Sequence, residues 1–378
     1  MLQTLLNRIR SPIFFIPLGL SLFGLLMLSL SSLSEGYATT GDQYYFIKKQ
    51  AVWLTLGTVV MQLVASVSIQ RLKFLTPILY YFSVFLLILV FLPGFSQQAL
   101  GAKRWLNFNG FTIQPSEFVK MSAVLFFSHL FSRPQTNHIK FFILYLIPPL
   151  FFILIEPSLS NAIILFLEIS FVFFIASNHL KHLFFTWLVG LILTILLIVV
   201  YPYRLNRVIG FLKPSYHTTQ LGLAISTGGF IGKGLANSDQ KYLFIPKVST
   251  DSIFAVIAEE TGFVGCLVIL ICYLYLVNYL FKLSQASTDP FDAIFFIGVG
   301  SLICLQAFIN LSAILALAPL TGVTLPFISY GGSSLLTLFI LLGIAQSIES
   351  RLLLYSDNAP KRYRPKNTNH RHSPHPSH

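Results

Sequence analysis

Charge is what this sequence has least of: only 10% of its residues are Asp, Glu, Lys or Arg, against about 25% in an ordinary soluble domain. With 55% hydrophobic residues alongside, the chain carries more apolar surface than one water-soluble core can hide. The bilayer has to be its main solvent. Acidic side chains are scarcer still, 13 against 25 basic ones, for a formal net charge of +12. Cysteine is nearly missing: Cys266, Cys272 and Cys304 lie in apolar runs without zinc-type spacing, which excludes a disulfide or metal framework. A nucleotide loop is lacking too, because Gly228–Gly234 is glycine-rich but has neither the GxxxxGK[ST] spacing nor its strand context. No nucleic-acid partner is expected.

What is present is a succession of long apolar runs. A membrane-spanning helix needs roughly 20 mostly apolar residues, and the chain offers ten such stretches: 12–33, 48–69, 74–93, 115–132, 141–156, 159–177, 183–202, 253–281, 291–318 and 327–350. The fold class is therefore an all-α polytopic membrane protein of about ten helices, with a large loop at 203–252 between the seventh and eighth. Arg8 and Arg10 precede the first run. That run is long for a leader peptide and lacks a small-residue cleavage site, so it reads as an uncleaved first span. Short connections carry Arg71, Lys73, Arg133, Lys140, Lys181 and Lys282. The positive-inside rule places them, and both termini, in the cytoplasm. Residues 1–355 form one transmembrane unit, and 356–378, rich in Pro, His and basic residues, read as a disordered tail.

Two outer segments are basic against that trend. Residues 94–114 hold Lys103 and Arg104, and 203–252 holds Arg204, Arg207, Lys213, Lys233, Lys241 and Lys247. Long loops cross regardless of charge, so the topology stands. A basic outer surface suits an anionic substrate such as a lipid pyrophosphate, and equally suits anionic lipid headgroups.

Ionisable residues within or beside spans are costly and mark functional candidates. Lys103-Arg104-Trp105 leads to Gln114-Pro-Ser-Glu-Phe-Val-Lys120. Pro115 suits a first helical position, and Trp105 an interfacial anchor. Glu117 and Lys120, three apart on one helix face, read first as an internal ion pair and second as substrate contacts. Glu156-Pro-Ser-Leu-Ser-Asn161 breaks two spans, and non-helical backbone at that depth requires burial in protein or a wet cavity. Pro319 to Ser334, containing Ser329, forms a shaped turn whose small residues favour close helix packing.

Asp251 stands at the mouth of the eighth span, below the glycine-rich loop. It reads either as an N-cap or as the general base that transfer to a sugar hydroxyl requires. Glu259 and Glu260 lie about 12 Å deeper along the helix axis and read as buried structural acids.

These motifs in this order resemble the SEDS family of FtsW, RodA and SpoVE: GAKRWLNFNGFTIQPSEFVK, EPSLSNA, GGFIGKGLANSDQKYLFIP, STDSIFAVIAEETGFVG and PLTGVTLPFISYGGSS. Residues 41–50 and the Thr-Leu-Pro before Phe327 are more similar to the division-type branch than to the elongation-type one. The resemblance implies a peptidoglycan glycosyltransferase of the bacterial cytoplasmic membrane that polymerises lipid II at the outer face. The partners it implies are a class B penicillin-binding protein and other division or elongation proteins. It assigns the catalytic base to Asp251, with substrate contacts at Lys103, Arg104, Trp105, Glu117, Lys120, Glu156, Lys233, Lys241 and Ser329. A divalent cation, Mg or Mn, is compatible with it. Ser249 and Ser252 stand where the family has His and Phe, and Ser158 where it has an acid. An elongation-type polymerase, a scaffold recruiting the penicillin-binding protein and a lipid II flippase are the competing readings.

Overall fold

The computed structural model describes residues 8–99, 102–108, 111–134, 137–177, 180–212, 216–239 and 249–358. Each of the ten apolar runs falls on a helix. These are α1 (Pro12–Ser31), α3 (Tyr45–Ala65), α4 (Ile69–Leu89), α5 (Pro115–Phe131), α6 (His138–Ile155), α7 (Leu159–Ser177), α8 (Leu180–Val200), α11 (Ile253–Ala286), α12 (Pro290–Ile314) and α13 (Gly332–Asn358). Eight of them are long and apolar enough to cross a membrane; α3 and the 17-residue α5 complete the bundle.

Local sequence explains several of the boundaries. Ser11 accepts the Ile13 amide ahead of Pro12, and Asp289 accepts the Phe291 amide ahead of Pro290. In each case a polar N-cap is followed by a proline whose missing N–H costs nothing there. Helix α4 begins at Ile69, after the N-cap position Ser68 and five residues before the predicted edge, and its Lys73 pairs with Asp289. The last helix starts at Gly332, not 327, and runs to Asn358, three residues into the segment expected to be a disordered tail. The remainder of that tail lies outside the described residues.

Two features depart from an all-α bundle with an open loop. Segment 96–113 forms a three-stranded antiparallel meander: β1 (Ser96–Ala99), β2 (Ala102–Phe108) and β3 (Phe111–Ile113), in the order β1-β2-β3. Leu106, fully buried, pairs with both Ser96 and Ile113. The large outer segment holds two helices, α9 (Pro202–Leu212) and α10 (Tyr216–Gly228), and a short α2 (Leu33–Thr40) follows α1.

The interior has two adjoining hydrophobic clusters. One gathers side chains of α1, α3, α11, α12 and α13; the other joins α4, α5, α6 and α7. Glycine permits the closest approaches: a Cβ on Gly332 would lie 2.2 Å from Trp53 Nε1, and one on Gly343 would lie 2.5 Å from the Met61 carbonyl. Small residues at such crossings let helices pack where lipid offers no hydrophobic drive. Helix α8, by contrast, leaves Phe184, Phe185, Leu191, Ile192 and Val199 exposed. These side chains suit hydrocarbon.

The helix ends sort into two polar layers. At one end Lys73 pairs with Asp289, Arg351 with Asp292, and Ser11 donates to Glu349. At the other lie the meander, α2, α9, α10 and every polar break named above.

Candidate active site

The break between α6 and α7 meets the turn before α13. Ser160 Oγ donates to the Thr321 carbonyl at 3.0 Å, and the Gln114 amide ahead of α5 donates to Ser333 Oγ at 3.0 Å. The turn's own shape is held by the Leu325 amide, which donates to Ser329 Oγ, and by Gln50, whose amide donates to the Ser329 carbonyl. Buried Phe327 adopts φ 66° there, an uncommon conformation for a bulky residue that the surrounding bonds must enforce. Ser329 is thus a structural residue of this turn.

Asp251 sits where that turn touches α11. Its segment is buried on both sides, since Ser249 and Ser252 have no exposure, whereas Asp251 itself is half-buried. The Tyr330 amide donates to the Ser249 carbonyl at 2.9 Å, and Asn310 Nδ2 donates to the carbonyls of Asp251 (3.0 Å) and Val323 (2.7 Å). Thr250 Oγ1 donates to Asp251 Oδ1 at 3.1 Å. Gly322, at φ 69°, lies opposite: a Cβ there would be 3.8 Å from Asp251 Oδ2. The N-cap alternative is not realised, because Ser252 occupies that position and no side chain caps the helix. The carboxylate, with Oδ1 bonded to Thr250, turns Oδ2 toward Gly322.

Arg104 ties the meander to the α6–α7 break. Its Nε donates to the Glu156 carbonyl at 2.9 Å, and a terminal nitrogen donates to the Pro157 carbonyl at 2.7 Å. Glu156 is 1% exposed, and among the described residues neither carboxylate oxygen has a hydrogen-bond partner. Burial pushes its carboxyl up to about 8, against the opposing charge of Arg104. Trp105 is half-buried in β2. Lys103 joins β2 opposite Gln98 through its backbone; its side chain and the whole of Lys241 lie outside the described residues.

Glu117 and Lys120 form the expected internal pair, 2.7 Å apart, and Lys120 also reaches Asn161 Oδ1 at 3.4 Å. Asn161 in turn donates to Ser116. The pair therefore cross-links α5 to the start of α7, with Lys120 1% exposed. Lys233 is engaged elsewhere. Its ammonium pairs with Asp239 at 2.8 Å and with Glu259 at 2.7 Å, which raises its pKa. Around it the glycine-rich loop folds onto the kink of α11. The Lys233 and Gly234 amides donate to the carbonyls of Glu259 and Glu260, and the Phe263 amide to that of Gly229. Gly232 (φ 89°) and Gly262 (φ 66°) make the crossing possible, since a Cβ on Gly232 would lie 2.2 Å from the Glu260 carbonyl. These glycines allow close backbone approach, but to the protein's own helix. Glu259 and Glu260 are structural acids, as predicted, receiving Ser238 Oγ and the Ala236 amide respectively.

Several residues at the site carry no local signal in the sequence. Glu35 on α2 accepts the Ser249 amide at 3.0 Å, and His217 on α10 lies 3.2 Å from Ser252 Oγ. Asn310 and Gly322 likewise emerge only from contacts across the fold. Among the described residues no group of three or more His, Cys, Asp or Glu side chains could hold a metal ion.

An apolar helical bundle whose polar breaks converge at one end on a half-buried carboxylate is a polytopic membrane protein with a polar site. The chain belongs to the FtsW/RodA/SpoVE family of cell cycle proteins, whose family model matches residues 11–352. It is 34% identical over 361 residues to the probable peptidoglycan glycosyltransferase FtsW of Wigglesworthia glossinidia brevipalpis, covering 91% of this chain and 94% of the relative. It is 30% identical to the stage V sporulation protein E of Bacillus subtilis (strain 168), covering 88% and 94%. Among solved structures it is similar to a chain of a peptidoglycan synthase complex that coordinates polymerization and crosslinking. There the TM-score is 0.73 and the identity 28%, over 89% of this chain and 96% of that one. The rod shape determining protein RodA of Thermus thermophilus gives a TM-score of 0.66 at 27% identity, over 89% and 95%.

Proposed function

We propose that this chain is a peptidoglycan glycosyltransferase of the division type that polymerises lipid II at the outer face of the cytoplasmic membrane. The activity for which the FtsW relative is named supports the reaction class. The observation that carries the reading is Asp251, a half-buried carboxylate in a segment whose Ser249 and Ser252 are fully buried, facing the Gly322 turn. Asp251 takes the proton of the acceptor sugar hydroxyl as that oxygen attacks the donor's anomeric carbon. The new glycosidic bond forms as the bond to undecaprenyl pyrophosphate breaks, with inversion, and the proton leaves Asp251 to solvent. A carboxylate on a short side chain is a usual general base for such a transfer, because it can be held rigidly beside the acceptor oxygen. Arg104, anchored to the 156–157 backbone, fixes a positive charge beside the α6–α7 break, where it favours the departing pyrophosphate. Lys103 and Lys241 are further candidates for that role. Glu117 and Lys120 shape the site by holding α5 to α7, and Lys233 by closing the glycine-rich loop.

In this reading residues 1–355 are the transmembrane unit, both termini are cytoplasmic, and a class B penicillin-binding protein crosslinks the strands made here. The test is strand synthesis by the purified protein, with and without that partner, from lipid II. Polymer that grows with time and releases one undecaprenyl pyrophosphate per bond supports the assignment. Transport of lipid II without polymer, or no reaction in the complex, refutes it.

A further inference from the structure

Asp251 belongs to a four-residue segment, 249–252, that carries the reacting carboxylate yet has almost no structure of its own. It lies outside helix α11, whose N-cap makes no side-chain bond, and its residues form only turns. Such a segment holds a side chain in place only as well as its outside contacts do. Four of those contacts come from four places in the chain: Tyr330 and Asn310 from the core side, Glu35 and His217 from the outer helices. The outer two are unlike the core two. Glu35 accepts the Ser249 backbone N–H on a side-chain carboxyl oxygen at 3.0 Å. His217 meets the hydroxyl of Ser252, a residue with no exposure. They reach the segment on either side of Asp251, from helices 8 and 13 residues long, the second of which packs Leu221 and Ala224 into the core.

We propose that Glu35 and His217 are positioning residues that clamp segment 249–252 from the outer side and set the direction of the Asp251 carboxylate. This rests on the assignment of Asp251 as the base. Neither residue touches the reacting atoms; each acts through the backbone or hydroxyl of a neighbour of Asp251. Among the described residues the Ser249 hydroxyl has no partner, and the backbone bond to Glu35 holds that residue from the outer side. The consequence is directional. Loosening the clamp leaves the substrate surface in place but lets the carboxylate wander, and displacement of a reacting group by about 1 Å costs on the order of 100-fold in rate.

The test uses the full chain with Glu35→Ala, Glu35→Gln and His217→Ala, beside Asp251→Asn. Hydrogen exchange of the peptide covering 249–256 reads the clamp without reference to activity. Glu35→Ala and His217→Ala are expected to speed exchange there and leave the rest of α11 unchanged. Glu35→Gln, whose amide oxygen can still accept the Ser249 N–H, is expected to restore protection. In strand synthesis from lipid II, kcat should fall 10- to 100-fold in the two alanine variants with KM within threefold, and Glu35→Gln should recover most of it. In an Asp251→Asn background, Glu35→Ala should cost nothing further. Unchanged exchange overturns the clamp. Faster exchange with wild-type kcat, while Asp251→Asn is inactive, overturns the positioning role and leaves Asp251 as the base. Full activity of Asp251→Asn overturns the parent assignment instead.

Discussion

Replacing Lys120 with Met tests how the bundle tolerates charge. Lys120 is 1% exposed, its ammonium 2.7 Å from Glu117 and 3.4 Å from Asn161. Methionine fills a similar volume but leaves the Glu117 carboxylate, itself only 8% exposed at the side chain, without its cation. Breaking a buried pair by removing one partner costs about 3–5 kcal/mol, whereas replacing both partners by apolar groups can be close to neutral. An unfolding entropy of roughly 2.1 cal/mol/K per residue, over 378 residues, gives about 0.8 kcal/mol/K. A 4 kcal/mol loss then lowers Tm by about 5 °C. The assay is thermal unfolding in detergent of Lys120→Met, Glu117→Leu and the double variant. The double variant should lie above both singles, with a coupling of about 2 kcal/mol or more. A Lys120→Met shift below about 1 °C, or strictly additive singles, would refute a buried, mutually compensating pair.

Glu156 should make stability depend on pH. In the folded chain its carboxyl sits at about 8, against an ordinary 4.5. Between those values the folded state holds a proton that the unfolded state has released, so stability is full below about pH 4.5 and falls as pH rises to 8. The loss reaches about 4–5 kcal/mol at 1.36 kcal/mol per pH unit. Glu156→Gln should flatten the Tm–pH profile over this window; an unchanged slope counts against the buried, unpaired carboxyl. Gly232→Ala places a Cβ 2.2 Å from the Glu260 carbonyl at a φ of 89°, and should cost about 1–3 kcal/mol or more, measured by thermal unfolding, with faster exchange at the α11 kink. Gly332→Ala, aimed at the Trp53 indole at 2.2 Å, should lower Tm and perturb Trp fluorescence, whereas Gly19→Ala, with nothing within 4 Å, should change neither.

What could be read from the residues was whatever is encoded locally. Apolar run length marks each long helix, Pro115 marks a start, and Glu156-Pro-Ser marks a break because proline and a buried acid cannot continue a span cheaply. The spacing of Glu117 and Lys120 is enough to predict their pairing. At α4, Arg71 and Lys73 look like a connection but lie in the helix, and the partner of Lys73, Asp289, is 216 residues away. The meander is invisible for a similar reason: its strands are three to seven residues long and depend on pairing with one another. Lys233 reads as a free loop cation until the fold brings Glu259 to it. Glu35 and His217 reach the site across 214 and 35 residues, and no periodicity or motif reports a contact of that kind.

The central claim is that Asp251 is the base. The direct measurement is the single-turnover rate of strand synthesis from lipid II by Asp251→Asn, alongside its affinity for lipid II and its Tm. Asparagine keeps the Oδ1 acceptor for Thr250 and the carbonyl bonded by Asn310, so folding and binding should stay within threefold and about 2 °C of wild type. The rate should fall by about 10²- to 10⁴-fold. A rate within tenfold of wild type would contradict the account.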